Sequence, residues 1–112
     1  MKILFDQIPE VVNHKCRGGE GDFITRPYTD GKAKIMMCRL TPGSTIGLHT
    51  HETNCEVFYV TSGTGKVLCD GEYEILGPGD CHYLPQGHEH SLINDGEVDL
   101  CVLAVIAEHN VP

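Results

Sequence analysis

What this chain of 112 residues lacks narrows its roles before anything it contains does. No lysine or arginine follows Lys66, whereas nine acids do (Asp70, Glu72, Glu74, Asp80, Glu89, Asp95, Glu97, Asp99 and Glu108), within a net charge of −8. Phosphate backbones are held by clustered bases, so no nucleic-acid partner is expected; the acids read as a solvated surface. No stretch approaches the roughly 20 apolar residues that cross a bilayer. The N-terminus, MKILFDQIPE, is broken by Lys2, Asp6 and Glu10 before it reaches signal-peptide length. A cytoplasmic protein with no membrane partner is therefore expected. Six cysteines (Cys16, Cys38, Cys55, Cys69, Cys81, Cys101) form no CxxC pair, which excludes a zinc ribbon and a thioredoxin-type motif. They read as small core hydrophobes kept reduced. Sustained helical periodicity is absent as well.

What is present points to strands. Thirteen glycines and six prolines favour short strands and tight turns, and the length allows one domain. Ala33 to Leu40 reads as a long strand stopped by Thr41-Pro42-Gly43. Lys66 to Cys69 and Glu72 to Leu76 read as a hairpin around Asp70-Gly71, and Val98 to Ala107 as a last strand, apolar on both faces. The turn-rich stretch His14 to Asp30 becomes extended at Asp22 to Arg26 and is expected to pack along the body of the protein.

The chemistry is concentrated between Gly43 and Gly63. His49 and His51 stand two apart, so a strand turns both imidazoles to one face. After the polar Glu52-Thr53-Asn54-Cys55, Glu56 shares a face with Phe58 and Val60 and offers a carboxylate. From Gly79 to Asn94 a second block adds His90 after the turn Pro85-Gln86-Gly87. Three imidazoles and a carboxylate suit a divalent transition metal: Mn, Fe, Ni, Co or Zn. His82 reads as a hydrogen-bonded structural histidine in a strand. Alanine at His82 or His109 should leave metal binding intact, and alanine at His49, His51 or His90 should abolish it.

The spacing is Gly43, five residues, His49, one, His51, four, Glu56, six, Gly63, then Gly79, five, Pro85, one, Gly87, two, His90, three, Asn94. This pattern resembles the two motifs of the cupin superfamily at every defining position. The resemblance, strongest to small single-domain bacterial cupins, implies an all-β fold, a single-domain antiparallel jelly-roll β-barrel. It also implies one metal held by His49, His51, Glu56 and His90. On that reading residues 1–112 are one cupin domain, with 1–30 an N-terminal arm and 31–108 the barrel. Cupins include dioxygenases, oxalate decarboxylases, sugar isomerases and non-catalytic binders, so the family leaves the reaction open.

Two functions follow. The first is a mononuclear metalloenzyme acting on a small oxygen-rich molecule such as a carboxylate, a keto acid or a sugar derivative. The second is a metal-dependent module that only binds or senses one. No helix-turn-helix pattern accompanies the metal motif, which favours the enzyme. An anionic substrate would need a donor beyond the metal; Arg26 and Arg39, with Tyr28 and His88 at the rim, are the candidate substrate-binding residues, and Arg17 is a further guanidinium. Arg26→Lys should weaken binding. Tyr28, Tyr83 and His88 are candidate proton carriers. If Glu56, Phe58 and Val60 point inward, Cys55, Val57 and Tyr59 leave an apolar outer stripe, and a homodimer is expected.

Overall fold

Apolar alternation along the chain becomes ten strands in the computed structural model, which describes residues 1–109. In order they are β1 (Val11–His14), β2 (Asp22–Thr29), β3 (Ala33–Leu40), β4 (His49–Thr50), β5 (Asn54–Ser62), β6 (Gly65–Cys69), β7 (Glu72–Leu76), β8 (Cys81–Leu84), β9 (Glu89–Ile93) and β10 (Leu100–Glu108). Short 3-10 turns at Phe5–Gln7 and Cys16–Gly18 are the helical segments among the described residues. Among the described residues no helix is long and apolar enough to cross a membrane.

Every strand pair is antiparallel. The order β1-β2-β3-β10-β5-β8 makes a six-stranded sheet, and β4-β9-β6-β7 a four-stranded one. The two do not close into the expected barrel. β4 pairs over only two residues, and Pro85, directly after β8, has no N–H with which to extend a ladder. The segment read as an arm supplies β1 and β2, with β2 paired to β3 from Phe23↔Leu40 to Thr29↔Lys34. Sequence reading missed β1 because its four residues are mostly exposed and show no alternation.

Between the sheets lies the core. Met36, Leu40, Phe58, Val60, Leu100 and Val102 come from the larger sheet, and Val67 and Leu92 from the smaller. Each such side chain contributes about 1.5–3 kcal/mol when withdrawn from water. The parity expected for β5 holds: Glu56, Phe58 and Val60 are buried, whereas Tyr59 is 43% exposed. At the β6–β7 hairpin Asp70 and Gly71 both take positive φ, 49° and 84°. That is the left-handed pair a two-residue type I′ turn demands.

The outward face of the larger sheet carries an apolar row across five strands and a second across four. One row runs Tyr28, Ile35, Val105, Val57, Tyr83, and a neighbouring row Met37, Leu103, Tyr59, Cys81.

Candidate metal centre

The two histidine-bearing motifs meet because β4 and β9 pair with His49 directly opposite His90. His51 follows β4 and is fixed by main chain on both sides: its N–H donates to the His88 carbonyl (3.1 Å), and its own carbonyl accepts from Gly87 N–H (2.7 Å). Glu56 enters from β5 in the opposite sheet.

Each imidazole is held at Nδ1. His49 Nδ1–H donates to the Gly47 carbonyl at 2.7 Å, and His51 Nδ1–H to Asn54 Oδ1 at 2.5 Å. Asn54 is oriented in turn by donating through Nδ2 to Glu108 (2.8 Å). His90 Nδ1 faces His82 Nε2 at 3.1 Å. With the protons on Nδ1, all three Nε2 atoms present lone pairs to one another. Nε2 of His51 lies 3.0 Å from that of His49 and 3.3 Å from that of His90. Glu56 Oε1 lies 3.1 Å from His51 Nε2 and 3.0 Å from His90 Nε2. The four donor atoms fall within 4.8 Å of one another. A buried carboxylate and imidazole nitrogens at this spacing need either a proton or a cation between them. Donors each about 2.1 Å from a shared ion stand roughly 3.0–3.4 Å apart, and these four separations match that spacing.

Protonation favours the same conclusion. Burial lowers the pKa of His49 and of His90, which keeps both neutral. The Glu56 hydrogen bond raises that of His51 against the effect of burial. Burial pushes the Glu56 carboxyl up, but hydrogen bonds from His51 and His90 outweigh it and bring the value down to about 2. A carboxylate is thus ready at neutral pH.

Beside the donors is a cavity of about 190 Å³, whose wall includes Arg17, Lys34, Thr25, Phe23 and Ile46. Arg17 sits in a turn with left-handed backbone at Lys15 (φ 51°) and at Arg17 itself (φ 56°). Such strain in non-glycine residues persists only where the surroundings enforce it. Here the turn is locked to the segment leading into His49: Gly47 N–H donates to the Cys16 carbonyl (3.0 Å) and Thr45 N–H to the Glu20 carbonyl (2.8 Å). A Cβ on Gly47 would stand 2.0 Å from the Arg17 carbonyl oxygen, and one on Gly19 would stand 2.1 Å from that of Thr45. The two segments touch because both glycines are bare.

The structure brings together His49, His51, Glu56 and His90, and places the four candidate substrate residues elsewhere. Arg26 Nη1 donates to the Ile8 carbonyl at 2.7 Å. Arg39 is paired with Glu10 (2.9 Å) and Asp99 (3.3 Å). His88 bonds Asp70 at 2.6 Å on the surface, and Tyr28 meets Met1. None of these four lines the cavity among the described residues. The reason is parity: β2 turns Phe23, Thr25 and Pro27 inward, so Arg26 and Tyr28 face out. Sequence reading passed over Lys34, although it shares the inward face of β3 with Met36, Cys38 and Leu40 and the alternation carried that signal. It also left His82 a structural role, whereas the side chain bonds a donor of the cluster.

The profile of the family described as Cupin domain matches residues 36–106. An oxalate-binding protein of Thermotoga maritima is 34% identical over 104 residues, 88% of this chain and 85% of its own length. The mannose-1-phosphate guanylyltransferase of Escherichia coli is 34% identical over 78 residues, 68% of this chain but 16% of that enzyme. Among solved structures, a predicted oxalate decarboxylase from Thermotoga maritima superposes with a TM-score of 0.90 at 31% identity, over 96% of this chain and 99% of the other. A sugar phosphate isomerase from Silicibacter pomeroyi shares the fold, with a TM-score of 0.78 at 22% identity over 96% and 76%.

Proposed function

Because this chain belongs to the cupin family, we propose that it is a mononuclear metal protein in which His49, His51, Glu56 and His90 hold one divalent transition metal beside a pocket for a small carboxylate. The convergence of three Nε2 atoms and one carboxylate oxygen, with His49, His51 and Glu56 on the wall of a cavity that Arg17 and Lys34 also line, carries this reading. When bound, such an ion supplies Lewis-acid or redox chemistry to a ligand oxygen.

The chain's own residues do the selecting. Arg17 offers a two-pronged guanidinium and Lys34 a point charge to an anion. A volume of about 190 Å³ is below the roughly 300–1,000 Å³ of pockets for drug-sized ligands, which favours a small acid over a sugar nucleotide. Phe23, Met36, Ile46 and Phe58 line the same space and limit water. The name of the Thermotoga relative, an oxalate-binding protein, agrees with this substrate class.

Enzymatic turnover is the preferred form. The alternative, a non-catalytic binding module, has its own support: apart from the cluster, the described cavity wall carries no carboxylate or imidazole, and Lys34 is the one candidate proton carrier there. Burial keeps Cys16, also on the wall, as a thiol. The deciding experiment is metal analysis of protein purified without chelator, then calorimetry and turnover assays with oxalate, keto acids, sugar phosphates and catechols. Metal-dependent binding of a carboxylate supports the proposal; failure to retain any metal refutes it. Saturable binding without turnover selects the module.

The apolar outer rows of the larger sheet support a homodimer, with the two-sheet body read as a jelly roll. Burying Tyr59 and Tyr83, 43% and 57% exposed, would remove the stripe from water. A monomeric mass in light scattering at tens of micromolar would overturn the dimer. A cytoplasmic location fits six free cysteines.

A further inference from the structure

His82 is buried, its side chain 1% exposed, and it bonds at both ring nitrogens. Nδ1 lies 2.9 Å from Glu74 Oε1, and Nε2 lies 3.1 Å from His90 Nδ1. The chain of three crosses the molecule: Glu74 is on β7 and His90 on β9 of the smaller sheet, while His82 is on β8 of the larger. Phe58 fixes the rings from one side, stacked on His90 at 5.3 Å between centroids with 4° between planes, and 5.9 Å from His82.

The directions of these bonds are determined by the end of the chain. A carboxylate only accepts, so His82 carries its proton on Nδ1, pointed at Glu74. With one proton on the ring, Nε2 is bare and accepts from His90 Nδ1–H. That leaves His90 Nε2 without a proton and turned to the other donors. Were the carboxylate absent, His82 could rotate or take the other tautomer, and part of the His90 population would present N–H instead of a lone pair to the site.

We infer that His82 and Glu74 are positioning residues that hold His90 in its metal-ligating tautomer and orientation. Partners of this kind, when replaced, typically cost about 10–100-fold in metal affinity. Glu74 is half exposed, so the end of the chain that sets the tautomer lies at the surface, away from the cavity.

The test uses full-length protein stripped by chelator and titrated with Co(II), reading Kd by chelator competition and the ligand-field absorption bands. His82→Leu, close in size to the buried ring, should weaken Co(II) binding about 10–100-fold and shift the bands. His82→Gln, whose amide oxygen can accept from His90 Nδ1–H, should recover most of the affinity. Glu74→Ala, a change at a half-exposed side chain, should weaken binding severalfold with the metal-free melt unchanged. Wild-type Kd and spectrum in His82→Leu overturn the inference, as does a lower metal-free Tm with Kd unmoved, which marks a purely structural histidine. If His82→Leu does not fold, Glu74→Ala decides: weaker binding supports the chain and wild-type binding overturns it. The inference rests on the metal-site reading; wild-type protein that takes up no Co(II) removes both, whereas wild-type binding in these variants removes only this one.

Discussion

Alanine at His49 separates metal binding from packing. Its ring is half-buried at the cavity, and its Nδ1 bond goes to a neighbouring loop carbonyl. His90 by contrast is fully buried, stacked on Phe58 and bonded to His82, so its removal would also open a hole. An ion that binds only the folded state stabilises it by about 2.7 kcal/mol at a hundredfold excess over Kd. For 112 residues, an unfolding entropy of about 2.1 cal/mol/K per residue gives about 0.24 kcal/mol/K, so that stabilisation raises Tm by about 11 °C. Loss of a ligand should weaken binding at least as much as loss of a partner behind it, about 100-fold. At the same metal concentration the remaining term is about 0.4 kcal/mol, a rise of less than about 2 °C. Differential scanning calorimetry of chelator-treated protein, titrated in turn with Mn, Fe, Co, Ni and Zn, measures this. The metal-free Tm of His49→Ala should stay within a few degrees of wild type. A rise in His49→Ala equal to that of wild type would refute the assigned cluster.

Other outcomes follow from the same geometry. Arg17→Lys should weaken carboxylate binding by roughly tenfold in calorimetry because the fork is lost, while Arg26→Lys, outside the cavity, should leave it unchanged; the reverse order would relocate the anion site. Gly47→Ala places a methyl 2.0 Å from the Arg17 carbonyl oxygen and should cost about 1–3 kcal/mol, read as a fall in Tm, as backbones are forced apart. The Glu56 carboxyl is depressed from 4.5 to about 2. Its contribution to metal-free stability is therefore full above about pH 4.5 and lost as pH falls through about 2. Urea titrations across that window should show the decline in wild type and a flatter profile in Glu56→Gln.

The strands and the meeting of three histidines with one glutamate could be read from the chain because each depends on local periodicity or fixed spacing. The run Ala33–Leu40 matches β3 end to end, and Asp70-Gly71 marks the β6–β7 turn through the left-handed backbone that this dipeptide tolerates. Arg26 and Arg39 lie outside the cavity, which charge weighed without parity does not reveal; one bonds the Ile8 carbonyl and the other sits between Glu10 and Asp99. The Glu74–His82–His90 chain lies beyond such reading. It depends on three side chains from two sheets meeting in space, and no single strand's pattern encodes a contact across the core. The absence of barrel closure is similar, since it turns on ladder lengths at the sheet edges.

The donor set is divided between the two sheets, with His49 and His90 on the smaller and Glu56 on the larger. An ion held there is a rivet through the sandwich. In its absence the sheets are joined by side-chain packing and connecting turns, and β4, two residues long at a sheet edge, is the element with the fewest ladder bonds to lose. Amide hydrogens of β4 and of its partner β9 should then exchange faster in the stripped protein than in the loaded one, while those of β3 and β10, deep in the larger sheet, keep their protection. Metal occupancy would thus be recorded as a local breathing rate at one end of the molecule, legible without any substrate.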